Sequence, residues 1–149
     1  MNILTENTFV LVVAILFLLL WGLFLFVFSF LSGWLSLGRK YKISNNHLSK
    51  RAHLVFSYTL MKRFFNYGYF IKIGLQPEGL FLQVLFPFRI GHPSLLIPWN
   101  DIVAENNFKF MIMDYVQLNF VKEPGLNLCI PIKFAQKIYL QSYINIPKN

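Results

Sequence analysis

Hydrophobic and polar positions divide the chain into an apolar block, a basic break and an alternating remainder. No charged residue occurs from Asn7 to Gly38, and Phe9 to Leu31 ("FVLVVAILFLLLWGLFLFVFSFL") is almost purely apolar. About 20 such residues cross the ~30 Å hydrocarbon core of a bilayer as a helix. Each central Leu, Ile, Val or Phe favours insertion by roughly 0.3–0.6 kcal/mol. The block predicts one transmembrane helix. A cleaved secretory signal would carry a basic leader and an apolar core of only about 7–15 residues. Here the only charged side chain ahead of the run is Glu6, and the run is far longer, so the reading is an uncleaved span.

Further on the period changes from helical to alternating. "HLVFSYTLM" (53–61) and "YFIKIGL" (69–75) are rich in aromatic and β-branched residues, which suit a pleated surface. "QPEGL" predicts a turn, with Pro77 fixing φ and Gly79 free to take a positive one. "LFLQVLF" (80–86), "LLIPW" (95–99), "FKFMIMD" (108–114) and "YVQLNFV" (115–121) read as further strands; "KEPG" (122–125) is a second turn before "LNLCIPI". In "FAQKIYLQSYINI", Ala135, Ile138, Tyr139, Tyr143 and Ile146 recur at helical spacing, which predicts a terminal amphipathic helix. The predicted fold class is one N-terminal transmembrane α-helix, then a mainly-β small barrel or sandwich of six to seven strands with a C-terminal helix. The expected division is an outer tail at 1–8, the span and its interfacial end at 9–37, a basic juxtamembrane linker at 38–51 and a cytosolic domain at 52–146. Trp34 and Tyr41 suit an interfacial aromatic belt.

Charge adds an orientation. Of 14 Lys and Arg, eight (Arg39, Lys40, Lys42, Lys50, Arg51, Lys62, Arg63 and Lys72) follow the span with no acid among them. A basic cluster directly after a span belongs on the cytoplasmic side. That places the N-terminus outside and the domain in the cytosol, at the inner (plasma) membrane. Arg39, Lys40, Lys42, Lys50 and Arg51 are the candidate membrane-surface contacts, with the bilayer and possible anionic headgroups as partners. No nucleic-acid motif accompanies the pI of about 9.8, so nucleic acid is not expected as a partner. A single cysteine, Cys129, fits a reducing compartment.

Seven short strands and a terminal helix on a membrane anchor resemble the bacterial PH-like (pleckstrin-homology or GRAM-like) domains. The resemblance extends to a group of small bacterial single-pass membrane proteins that pair a "GW…Y" stretch (Gly33, Trp34, Tyr41) with the segment "GLFLQVLFPFRIGHPSLLIPWNDI", Gly79 to Ile102. It implies a binding or scaffolding fold and no particular chemistry. One departure concerns ligands. Domains of this type that hold phosphoinositides spread several basic residues over the first two strands and their loop, whereas here Lys62 and Arg63 stand together with Lys72 further on.

The polar residues of "RIGHPSLLIPWND" (89–101) raise the question of a hydrolytic site, since a triad needs a nucleophile touching a base and a third group orienting that base. Ser94 starts a predicted strand, His92 lies at a turn corner before it and Asp101 beyond its far end. A structural reading follows: Gly91 and Pro93 form the turn with His92 at its exposed corner, Leu95 and Ile97 face one side of the strand, Pro98 puts that end at an edge or out of the sheet, Trp99 is the large apolar anchor and Asp101 accepts a backbone N–H in the next turn. His47, His53 and His92 lack metal-ligand spacing, no Gly-rich phosphate loop is present, and Cys129 reads as a buried small hydrophobe. No catalytic, cofactor-binding or metal residue is assigned, and the chain is not read as an enzyme. Small residues at Ser29/Gly33 and Ser32/Ser36 have the spacing that lets helices approach closely. The functional expectation is a PH-like module presented at the cytosolic membrane face, with an unidentified membrane or cytosolic protein partner. The alternatives are an accessory structural subunit of a larger membrane complex and, behind it, a membrane-anchored enzyme.

Overall fold

A computed structural model describes residues 3–43, 55–110 and 112–137. The apolar block is a single helix, α1 (Ile3–Ser32). Its Glu6–Ser32 stretch, 27 residues, is long and apolar enough to cross a membrane. Unlike an amphipathic surface helix, α1 is apolar all round, and its large side chains from Phe9 to Leu20 are uncovered. It stops at Gly33, which takes a left-handed φ of 87° and donates its N–H to the Phe30 carbonyl at 3.1 Å. The Lys62 ammonium donates to the Leu31 carbonyl at 3.0 Å, placing a cation on the negative end of the helix.

A second helix, α2 (Trp34–Tyr41), starts at once, with the Leu37 N–H bonded to the Gly33 carbonyl. Its Trp34, Leu37, Gly38 and Tyr41 are buried in the core of the β-domain. The boundary expected at 37/38 therefore falls inside a helix, and 38–43 belong to the domain, not to a linker. Trp34 and Tyr41 are core residues, not members of an exposed belt. Residues 44–51 of the expected linker lie outside the described residues.

Seven antiparallel strands follow: β1 (Val55–Met61), β2 (Phe65–Gln76), β3 (Gly79–Val84), β4 (Leu95–Pro98), β5 (Ile102–Phe110), β6 (Met113–Phe120) and β7 (Glu123–Pro131). They form one sheet in the order β4-β3-β2-β1-β7-β6-β5. The predicted sheet and strand number are present. The "FKFMIMD" segment, however, is divided between β5, which ends at Phe110, and β6, which begins at Met113, and "KEPG" mostly enters β7, so that the turn falls at Val121–Lys122. β4 and β5 are the two edges, which leaves the sheet open. Leu95 and Ile97 from one edge share a core with Ile102 from the other, so the sheet curls around its main apolar interior, while Leu60, Tyr115 and Cys129 form a smaller buried cluster. A 3-10 turn, Trp99–Asp101, joins the two edges. Pro98 lies on edge strand β4, where its missing N–H costs no internal ladder bond. Gly79 pairs with Pro98, and a Cβ there would lie 2.1 Å from the Ile97 carbonyl oxygen, so glycine is what allows β4 to approach β3. A short helix, α3 (Ile132–Lys137), ends the described chain and buries Ala135. The predicted helix beyond Lys137 lies outside the described residues.

Candidate functional site

The long connection between β3 and β4, residues 85–94, runs back along the last third of α1 and meets α2. Its course follows from three local choices. Gly91, at φ 73°, lets the backbone press against α1, since a Cβ there would sit 3.3 Å from the Phe26 Cα and 3.4 Å from the Ser29 Cβ. The Ser29 hydroxyl donates to the Gly91 carbonyl at 2.5 Å. Pro93 then packs its ring on Gly38, and its carbonyl accepts the Trp34 indole N–H at 2.9 Å. Small residues on α1 do permit a close approach, but the partner is this connection, and both Ser29 and Ser32 are fully buried by it and by the sheet.

His92 is the hub of the joint. The corner expected to be exposed is buried, with the side chain 2% accessible. Phe28, Trp34 and Tyr67 surround the imidazole with ring centroids 6.3, 5.7 and 5.6 Å away. Nδ1 lies 2.8 Å from the Ile90 carbonyl, Nε2 lies 3.0 Å from the Tyr67 hydroxyl, and that hydroxyl lies 2.6 Å from Ser32 Oγ. A carbonyl only accepts, so Nδ1 carries the proton and Nε2 accepts from Tyr67. Ser32 Oγ, beside that hydroxyl, also lies 3.1 Å from the Ser29 carbonyl. Burial pushes the His92 pKa below its ordinary 6.5, against a smaller upward pull from the Ile90 carbonyl, so the ring is neutral. Burial also holds the Tyr67 hydroxyl protonated.

This chain of hydrogen bonds joins α1, β2 and the 85–94 connection, and it ends on a backbone carbonyl. It has the form of a structural clasp. The three polar residues of the 89–101 segment separate accordingly. Ser94 is buried and accepts from Arg89 Nη2 at 3.0 Å and from Gln83 Nε2 at 3.2 Å. Asp101 pairs with the Lys122 ammonium at 2.6 Å, a side chain partner in place of the expected backbone N–H. His92 bonds neither of them through its ring, both nitrogens being engaged as above.

The other anchor residues behave unequally. Ile97 is fully buried. Trp99 is half-buried, donating its indole N–H to the Gln76 carbonyl at 3.0 Å, while Pro98 is exposed. The largest fully buried side chain is instead Trp34. Cys129 is a free, buried thiol beside Leu60 and Tyr115, and burial raises its pKa to about 11, which keeps it protonated and unreactive.

The expected membrane-surface cations also divide. Arg39 and Lys42 are exposed and line a cleft between α2 and the 85–94 connection, together with Arg89. Lys40 turns away, pairing with the Glu123 carboxylate at 3.1 Å and donating to the Lys122 carbonyl. Lys50 and Arg51 lie outside the described residues. Lys62 caps α1, and Arg63 donates to Gln117 Oε1 at 2.9 Å with its guanidinium over the Phe108 ring. No group of three or more potential metal ligands occurs among the described residues. No protein-family model, curated protein or solved structure matches the chain.

Proposed function

We propose that the chain is a single-pass membrane protein, N-terminus outside, that holds a PH-like binding or scaffolding module against the cytosolic face of the inner membrane without catalysing a reaction. The observation that carries this reading is the clasp at the end of α1. An uncovered apolar helix is joined to a β-domain through buried side chains on both elements, not through a loose connection. Such a joint serves positioning. The cations that follow the apolar block supply the orientation, since Lys and Arg favour the cytoplasmic side of a span. Seven antiparallel strands followed by a helix support the PH-like assignment.

Topology tests the proposal. Reporters fused after Asn149 should be active in the form that works in the cytosol and silent in the form that needs export. The opposite pattern would overturn the orientation. Release of the chain by alkaline carbonate would overturn the span itself.

A further inference from the structure

A cleft of about 890 Å³ opens where α2 meets the 85–94 connection. Arg39, Lys42 and Arg89 line it beside Gly38, Pro93 and Ser94, and none of its lining residues is acidic. Next to this basic cleft stands an apolar tip. Phe86 is 86% exposed and Ile90 half exposed, while Phe88 packs on Trp21 with ring centroids 5.8 Å apart. Trp21 precedes Ser32 by three turns of α1, roughly 17 Å along the axis at 1.5 Å per residue.

The position of the tip follows from length. If the bilayer stopped short of Trp21, α1 would offer it only Phe9 to Leu20, about 18 Å of helix against a core of about 30 Å. With α1 spanning, the tip therefore lies inside the apolar layer. Arg89, in the middle of the tip, reaches out of that layer to the Ser94 hydroxyl at 3.0 Å, as long cationic side chains do near an interface. It shares the cleft with Arg39 and Lys42. Three cations beside exposed phenylalanine and isoleucine form a surface with two chemistries at once.

We propose that this cleft binds the headgroup phosphate of an anionic diacyl phospholipid, whose acyl chains lie along Phe86, Ile90 and α1. The proposal rests on the single-span reading above. A water-soluble phosphate would meet the cations but have no use for the apolar tip, so the lipid is the occupant that uses both.

The test uses the full chain in a mild uncharged detergent, titrated with phosphatidylglycerol, phosphatidylcholine or glycerol phosphate and followed by thermal unfolding. Phosphatidylglycerol should raise the melting temperature, and the other two should not. Arg39→Gln/Lys42→Gln, on the exposed side of α2, should weaken the phosphatidylglycerol effect by roughly tenfold or more in concentration, given the worth of a cation near an anionic headgroup. Lys40→Gln, which removes one charge but lies at the Glu123 pair, should leave it unchanged. Equal stabilisation by phosphatidylglycerol and phosphatidylcholine would overturn the site, as would a response to glycerol phosphate of the same size. A loss in Lys40→Gln equal to that in Arg39→Gln alone would also overturn it, showing diffuse surface charge instead. Carbonate extraction separates the two levels: a chain freed by carbonate sinks the span reading, whereas an embedded chain with no lipid preference sinks the site alone.

Discussion

The indole N–H of Trp34 donates to the carbonyl of Pro93 at 2.9 Å, joining the start of α2 to a connection 59 residues later. Trp34 is also fully buried, whereas Trp99 is half-buried at the rim. Trp34→Ala should therefore cost about 3–5 kcal/mol, the range for deleting a large core ring. Trp99→Ala should cost roughly 1–2 kcal/mol, nearer the middle of ordinary substitutions. Denaturant unfolding of the full chain in detergent micelles, read by near-ultraviolet circular dichroism, gives the order directly. The larger loss from Trp99→Ala would place the energetic centre in the Ile97–Trp99 segment instead.

Gly33 combines a left-handed φ with a position where a Cβ would fall 2.4 Å from Leu126 Cδ2. Gly33→Ala therefore meets two separate penalties. The backbone alone costs roughly 1–2 kcal/mol for a residue with a side chain. Adding Leu126→Ala to Gly33→Ala makes room for the methyl but leaves the backbone penalty. The two losses should thus be less than additive, as neighbours in contact usually are. Strict additivity of the melting data would show that the methyl meets no resistance.

His92 should make stability fall on acidification. Its folded pKa lies below the ordinary 6.5 because burial disfavours the imidazolium among Phe28, Trp34 and Tyr67. The unfolded chain therefore takes up the proton first. Stability is complete above about pH 6.5 and declines as pH falls from there towards the folded pKa, by up to about 1.4 kcal/mol per pH unit. Tyr67 stays protonated throughout. Melting temperatures between pH 7.5 and 5.5 should show the decline in the natural chain, and His92→Gln should flatten it over the same interval. An unchanged slope in His92→Gln would assign the decline to another group.

Much of the fold was legible in the chain because it is written locally. The nearly pure apolarity from Phe9 to Leu31 marks α1, and alternation with turn residues such as Pro77-Glu78-Gly79 marks the strands, since both depend on neighbours in sequence. The clasp is not local. His92 reaches Tyr67 across 25 residues and Ser29 reaches Gly91 across 62, so no period in the sequence reports either contact. Trp34 and Tyr41 carried the composition of an interfacial belt, and only the approach of Pro93 and the sheet turns them into core. The pairs Ser29/Gly33 and Ser32/Ser36 had the spacing for another helix to approach, whereas what packs on Ser29 is a backbone connection with Gly91 at its contact point.

The single residue between α1 and α2 has a mechanical meaning. Gly33 alone separates Ser32 from Trp34, and both of these are immobilised by packing on the sheet. A domain on a flexible leash sweeps out a hemisphere and meets its partners at random angles. Here a turn of the apolar helix about its own axis becomes a turn of the whole sheet, and a tilt of one is a tilt of the other. The β-domain thus keeps a fixed heading relative to α1, and torque applied at either end is delivered to the other.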